Sequence, residues 1–102
     1  MVKVINQDEF DEVKNSDLAV VDFSAVWCPP CKQLAPILED VSEELSDVAF
    51  FNIDTDKNLE LAREYNITNI PAILVLKKGE LVDMNVGFML KDKLVEFINK
   101  NK

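Results

Sequence analysis

The sequence predicts a three-layer α/β/α domain with a central mixed five-stranded sheet and four helices. Its apolar segments follow the order β-α-β-α-β-α, which is typical of parallel strands joined by right-handed crossovers. The short Lys78-Gly79 connection then joins two strand segments, and a connection of this length requires antiparallel pairing. The length of 102 residues and the hydrophobic content of 48% fit one globular domain over residues 1–102.

The first half of the chain supplies three predicted strands and two helices. Asn6 and Glu9 fit a capping box for a first helix that carries Phe10 and Val13. The second helix has one apolar face, and Pro36 is expected to kink it because proline lacks the backbone donor. The strands are predicted at residues 2–5, 18–25 and 48–53, and the apolar face comprises Leu34, Ile37, Leu38, Val41 and Leu45.

The second half supplies two further helices and the antiparallel strand pair. A short helix over residues 58–65 ends at Asn66, which tolerates the left-handed conformation better than most residues. A strand over residues 72–76 precedes one over residues 81–86, whose alternating pattern indicates a half-covered strand near a sheet edge. The last helix has an apolar stripe of Leu94, Val95, Phe97 and Ile98.

Composition and charge exclude several classes of function. The net charge is −8, so the chain has no excess of positive charge that would attract nucleic acid or an anionic membrane. The absence of histidine excludes a Ser-His-Asp triad, a Cys-His pair and any zinc site with a histidine ligand. No segment resembles a signal peptide or a membrane span, so we expect a monomeric cytoplasmic protein. The alternative is a domain excised from a longer or exported protein.

The strongest motif is the run Trp27-Cys28-Pro29-Pro30-Cys31, which lies between a buried strand and an amphipathic helix. A helix start favours a thiolate at Cys28, and Cys31 follows one turn later within reach of its sulfur. This arrangement predicts thiol-disulfide exchange, with Cys28 the more exposed of the two cysteines.

Other interpretations of the cysteine pair stay open at this point. The two residues could be buried structural cysteines, or they could contribute to a metal cluster shared between two chains. One chain offers only two thiolates, whereas zinc takes about four ligands. We therefore expect no metal and no cofactor.

The chain resembles the thioredoxin family over essentially its whole length. The segment from Val20 to Lys32, with Ala35-Pro36 after it, carries the resemblance most strongly. Further matching segments, in the family order, are Phe51-Asn52-Ile53-Asp54, Tyr65-Asn66-Ile67, Asn69-Ile70-Pro71-Ala72 and Val86-Gly87.

The resemblance implies the thioredoxin fold and a protein-disulfide reductase whose oxidised form is reduced again by a thioredoxin reductase. The substrates it implies are disulfides in proteins such as ribonucleotide reductase, peroxiredoxins and methionine sulfoxide reductases. It also implies a cis peptide bond before Pro71, which would leave the backbone of Ile70 free to pair with a substrate strand. Without the resemblance, Pro71 could simply start a strand.

An apolar rim around Cys28 is expected to bind extended protein segments. Within it, Gly87 lacks a side chain and would let a substrate backbone approach closely. The rim residues are Trp27, Ile70, Pro71, Val86, Gly87 and Phe88, and the loop residues Pro29 and Pro30 complete the predicted binding surface.

Asp22 is the most informative polar residue, because a carboxylate in a buried strand is costly unless it is paired. Desolvation is expected to raise its pKa, and the resemblance assigns it as the base that deprotonates Cys31. An exposed aspartate at the strand end is the alternative. Phe50 stands where the family often has a lysine partner, so we expect a more strongly raised pKa than with the lysine.

Pro29 also departs from the family, which usually has glycine there. Because proline has no N–H, the Cys28 thiolate should receive one hydrogen bond fewer and be less stabilised. We therefore expect a protein at least as reducing as the usual form.

Alternatives to a reductase are a thiol oxidase or isomerase, a reductant for cytochrome maturation, and a binding or scaffold module with incidental cysteines.

Overall fold

A computed structural model describes residues 1–102 and contains a mixed five-stranded sheet with four helices. The predicted fold class is therefore confirmed. The strands are β1 (Val2–Val4), β2 (Ala19–Ser24), β3 (Ala49–Asp54), β4 (Ala72–Lys77) and β5 (Glu80–Val86). The helices are α1 (Asp11–Lys14), α2 (Pro29–Glu44), α3 (Leu59–Glu64) and α4 (Lys91–Asn99), with 3-10 turns at Gln7–Glu9 and Thr55–Lys57.

The sheet has the strand order β1-β3-β2-β4-β5, so β2 lies at its centre. β3 pairs in parallel with both β1 and β2, whereas β4 runs antiparallel to β2, and β5 runs antiparallel to β4. This central position explains the nearly continuous apolar sequence of β2, because a strand covered on both faces exposes neither set of side chains.

Two apolar cores form, one on each face of the sheet. In β2, Val21 and Phe23 enter the core that includes residues of α3, and Val20 enters the opposite core with residues of α2 and α4. Alternate residues of one strand point to opposite faces, so β2 contributes to both cores and is fixed in register by them. The end of β2, where the cysteine motif begins, is thereby held by packing on both sides.

Positive backbone φ angles occur at the predicted turns. Asn66 has a φ of 56° at the end of the α3 segment, as predicted. Lys78 and Gly79 have φ angles of 49° and 84° and close the β4–β5 hairpin. A Cβ at Gly79 would come within 3.3 Å of the Lys14 backbone, so both conformation and space favour glycine there.

The helical segments differ in detail from the prediction. The first is a 3-10 turn followed by the four-residue α1, although the Glu9 carboxylate accepts the Asn6 N–H at 3.0 Å as expected of a capping box. α2 includes Pro36 within its length, and the kink expected there stays a prediction. No helix is long and apolar enough to span a membrane.

β5 is the edge strand, as its alternating pattern predicted, but its apolar face is the exposed one. Val82 and Met84 are 42% and 39% exposed, whereas Asp83 is partly buried. On the other face, Asn101, two residues beyond the end of α4, donates from Nδ2 to Asp83 Oδ2 at 2.9 Å. The covered face of β5 is thus held to the C-terminus by polar contacts.

The buried side chain of Asn58 connects the turn after β3 to the N-terminal 3-10 turn. Its Oδ1 accepts the Gln7 N–H at 2.7 Å, and its Nδ2 donates to the Asp54 carbonyl at 2.8 Å.

We expect Asn58→Ala to lower the free energy of unfolding by about 2 kcal/mol, because it leaves a partly buried N–H and a carbonyl without partners. Urea denaturation checks this, with the exposed Asn69→Ala as the control. A loss no larger than that of the control would contradict it.

Candidate active site

The cysteines lie where the central strand passes into the longest helix. Cys28 is the N-cap of α2 with an extended backbone, and Cys31 follows in the first turn. Their Cα atoms are 5.3 Å apart, and the two sulfurs form a disulfide. The two cysteines are therefore close enough to form a disulfide within one turn of the helix.

Two consecutive prolines reduce the number of donors at the start of α2. Pro29 and Pro30 are the first two residues of the helix, and neither has an N–H. The N–H of Cys31 points at Cys28 Sγ, with a donor–acceptor distance of 3.3 Å. The N–H of Lys32 donates to the Cys28 carbonyl at 3.1 Å, so it does not serve the sulfur. A Cys28 thiolate would therefore receive one helix N–H.

The two cysteines are buried to the same extent, so the prediction that Cys28 is the more exposed is wrong for the disulfide form. Cys28 is 3% exposed and Cys31 4%. Both pack against Ala25 and Ile70. The disulfide bond holds Cys28 Sγ beside Cys31, where Ala25 and Ile70 cover both sulfurs. Cys28 is therefore shielded from solvent.

The loop before β4 lies against the cysteines. The Ile70–Pro71 peptide bond is cis, as the resemblance implied. The carbonyl oxygen of Ile70 is 3.9 Å from Cys28 Sγ, and no backbone hydrogen bond within the protein uses the Ile70 N–H or carbonyl. These backbone groups are free for an extended segment that approaches the disulfide.

The start of β4 also positions the end of β5. The Gly87 N–H donates to the Pro71 carbonyl at 2.7 Å, and Val86 pairs with Ala72. Gly87 has a φ of 107°, and the space that a Cβ would occupy has no atom within 4 Å. This combination gives an open surface at Gly87, next to the carbonyl of Pro71.

Trp27 lies on the other side of the cysteines from Pro71. Its indole Nε1 donates to Asp56 Oδ2 at 2.7 Å, in the turn after β3, and the side chain is 63% exposed. Because β3 and β4 flank β2, the tryptophan and the cis proline lie on opposite sides of Cys28. Of the remaining rim and loop residues, Val86 and Phe88 are exposed apolar side chains, and Pro29 and Pro30 are exposed in the first turn of α2.

Asp22 is buried in β2 and is not an exposed residue at a strand end. Its side chain is 2% exposed. Oδ2 accepts a hydrogen bond from Asn52 Nδ2 at 3.0 Å, while Oδ1 has no partner. Burial raises the pKa of Asp22 to about 6, and the hydrogen bond from Asn52 opposes this rise. Phe50 is buried in the core on this side of the sheet and supplies no charge.

A pocket of about 320 Å³ joins Asp22 to Cys31. Asp22 and Cys31 both line it, together with Ser24 and Asn52, and α2 contributes Lys32 and Glu39. The carboxylate and the second cysteine of the motif therefore line one largely apolar pocket.

Comparisons with known proteins agree with this geometry. The sequence model of the family described as Thioredoxin matches residues 1–100. The chain belongs to the thioredoxin family. It is 41% identical over 102 residues to a thioredoxin of Bacillus subtilis, covering 99% of this chain and 97% of that one. It is 37% identical over 102 residues to a thioredoxin of Chlamydia trachomatis, covering 100% of both chains.

Solved structures of family members share the fold over nearly the whole chain. A Plasmodium falciparum thioredoxin superposes with a TM-score of 0.91 at 36% identity, covering 99% of this chain and 100% of that one. The X-ray structure of a Fasciola hepatica thioredoxin gives 0.90 at 33% identity, with the same coverage. Family membership supports a redox-active disulfide and thiol-disulfide oxidoreductase activity, acting on disulfide-bonded substrates and served by a reductase.

Two polar residues at the site were not found from the sequence. Asp56 holds Trp27, and Asn52 holds Asp22. The sequence did contain a signal for Asn52. It lies two residues after Phe50, the position expected to face Asp22, and residues two apart in a strand point to the same face. No local pattern indicates Asp56, because its contact with Trp27 spans 29 residues of sequence.

We expect Asp22→Asn to stabilise the oxidised protein at pH 8 by up to about 3 kcal/mol. The pKa of Asp22 is raised from 3.8 to about 6, so the folded protein binds more protons than the unfolded chain between these values, and its stability falls as the pH rises through them. The substitution removes this loss, so the gain should shrink as the pH falls from about 6 to 4. Urea denaturation at several pH values checks this.

The matched control for this prediction is Asp17→Asn, which neutralises an exposed carboxylate. It should give no comparable pH-dependent gain. Equal stability of Asp22→Asn and the wild type at pH 8 would contradict the burial argument.

Pro29→Gly should make the protein more oxidising, because it returns an N–H to the helix start and stabilises the Cys28 thiolate. A further hydrogen bond to a charged sulfur corresponds to a rise in redox potential on the order of 30 mV. Redox equilibration against glutathione measures it. Pro36→Ala, further along the same helix, is the control and should leave the potential unchanged. An unchanged or lower potential for Pro29→Gly would show that this donor has no influence.

Proposed function

We propose that the protein is a protein-disulfide reductase that donates electrons from the Cys28–Cys31 dithiol to oxidised proteins. The observation that carries this proposal is the position of Cys28 Sγ. It accepts the first available N–H of α2 and lies 3.9 Å from the carbonyl of Ile70, before the cis proline. A nucleophilic sulfur thus lies beside free backbone groups that suit a substrate strand.

In the first step, the Cys28 thiolate attacks one sulfur of the substrate disulfide. A bond forms between Cys28 and that sulfur while the substrate disulfide breaks, and the second substrate sulfur leaves as a thiolate that takes a proton from solvent. The N–H of Cys31 stabilises the attacking thiolate.

In the second step, Cys31 resolves the mixed disulfide. Asp22 takes the proton of the Cys31 thiol, and the resulting thiolate attacks the sulfur of Cys28. The bond to the substrate breaks, its sulfur leaves with the electron pair, and the Cys28–Cys31 disulfide forms. With a pKa of about 6, Asp22 is ionised at neutral pH and can accept this proton.

Substrates bind as extended segments across the apolar rim. The Ile70 backbone supplies hydrogen-bonding groups, while Pro71, Val86 and Gly87 form one wall beside the cysteines. Trp27, fixed by Asp56, forms the other wall. Phe88, Pro29 and Pro30 extend the surface with exposed apolar area.

A thioredoxin reductase would return electrons to the oxidised protein. The proposed targets are disulfides of ribonucleotide reductase, peroxiredoxins and methionine sulfoxide reductases. We place this electron transport in the cytoplasm and assign it to a monomer that forms one domain over residues 1–102. Support comes from the thioredoxins of bacteria that match the chain over its length.

Reduction of insulin disulfides by the protein, with dithiothreitol as electron source, tests the function. The wild type should accelerate insulin precipitation well above dithiothreitol alone, and Cys28→Ser should lose more than about 100-fold of this acceleration because the nucleophile is gone. Ser46→Ala, an exposed change after α2, is the control and should retain the wild-type rate.

Cys31→Ser should trap substrates as mixed disulfides that dithiothreitol releases, and mass spectrometry detects them. A folded wild-type protein that leaves the insulin rate unchanged would overturn the proposed reductase. A Cys28→Ser protein that retains full biological activity would instead favour the scaffold interpretation.

A further inference from the structure

The side-chain amide of Asn52 is the hydrogen-bond donor to the carboxylate of Asp22, and its position suggests a role in the second step of exchange. We propose that Asn52 is a positioning residue that keeps Asp22 ionised and oriented as the base for Cys31, and that Ser24 competes for the same amide. The inference rests on the proposed function, in which Asp22 takes the Cys31 proton.

The geometry of the amide shows this competition. Asn52 Nδ2 lies 3.0 Å from Asp22 Oδ2, 2.9 Å from Ser24 Oγ and 3.3 Å from the Asp22 carbonyl. An amide nitrogen carries two hydrogens, so three acceptors share two donors. Any change that removes an acceptor leaves the amide more available to the carboxylate.

Register explains why these three side chains meet. Asp22 pairs directly with Asn52 across the parallel β2–β3 ladder. Ser24 follows Asp22 by two residues and therefore lies on the same face of β2. Asn52 is thus fixed opposite Asp22 by the backbone pairing, and the amide cannot leave without a change in side-chain conformation.

The other groups around Asp22 do not replace the amide. Ile73 of β4, which pairs with Asp22 on the other side, is apolar. The second oxygen, Oδ1, has no donor. The charged or titratable groups that line the shared pocket are Cys31, Lys32 and Glu39 of α2 and Asp54 of β3, and the N-terminal amine on the β1 side pairs with Glu39 and Glu43.

Asn52 therefore opposes the effect of burial on Asp22. Burial favours the neutral carboxyl, whereas a donor favours the carboxylate. Without the amide, the pKa of Asp22 should rise into the neutral range, where the protonated carboxyl cannot accept a proton from Cys31. The second step would then require a higher pH, while attack by Cys28 would be unaffected.

The test uses Asn52→Leu, which has a similar volume and no donor. Titration of the Asp22 carboxyl carbon by NMR, in the oxidised protein, should show a pKa higher by about one unit. The rate at which a mixed disulfide is resolved should shift its pH dependence upward by about the same amount, giving a rate about tenfold lower below the midpoint.

Two further variants separate positioning from a general effect on the fold. Asn52→Val also removes the amide and introduces no charge, so it should raise the pKa of Asp22 in the same direction as Asn52→Leu, and it serves as the test if Asn52→Leu fails to fold. Ser24→Ala removes the competing acceptor and should not raise the pKa of Asp22. In an Asp22→Asn background, Asn52→Leu should no longer move the pH profile.

An unchanged Asp22 pKa in both Asn52 variants would overturn the proposal, as would a rise in Ser24→Ala equal to that in Asn52→Leu. These outcomes are distinct from failure of the proposed function. The NMR titration does not depend on activity. A wild type that cannot reduce insulin would refute the proposed reductase activity, whereas the titration would still test the effect of Asn52 on the pKa of Asp22.

Discussion

The passage from β2 into α2 is the constraint on which the site depends. Side chains of β2 pack into the cores on both faces of the sheet, and this packing fixes the position of the last residues of the strand. The helix that follows begins with Cys28 as its N-cap, and its 3.6-residue turn brings Cys31 back beside the same sulfur. Strand packing thus fixes where the first sulfur lies, and helix geometry fixes where the second lies. The loop before β4 then reaches the pair because β4 is the neighbour of β2 in the sheet.

Electrostatics at this junction depend on very few donors. The two prolines at the start of α2 leave one N–H directed at Cys28, and one side-chain amide faces Asp22. In a site of low polarity, each such donor has a larger influence on a charged partner than it would have in water. Phe50 supplies no charge on this face of the sheet. The neutral amide of Asn52 is therefore the group that opposes the effect of burial on the pKa of Asp22.

Much of the fold was predictable because it follows from short-range patterns. The apolar pattern of the strands, the helical stripe of α2, the left-handed Asn66 and the turn at Lys78-Gly79 involve residues close together in the sequence. The first helix was less predictable, since a 3-10 turn and a single α-helical turn share the same capping residues. The exposed apolar face of β5 was not predictable, because periodicity separates two faces but does not say which one a distant helix covers.

The sequence by itself determined the fold class and the two cysteines at a helix start, and it predicted a buried carboxyl group near them. These features rest on residue types, on a spacing of three and on hydrophobic period, all of which are local. Only the tertiary structure decided which side chains hold them. The contacts of Asp22 with Asn52 and of Trp27 with Asp56 span 30 and 29 residues, and both depend on how strands and turns are placed together. The equal burial of Cys28 and Cys31 likewise arises from the loop at Ile70, which approaches them across the sheet and is distant in the chain.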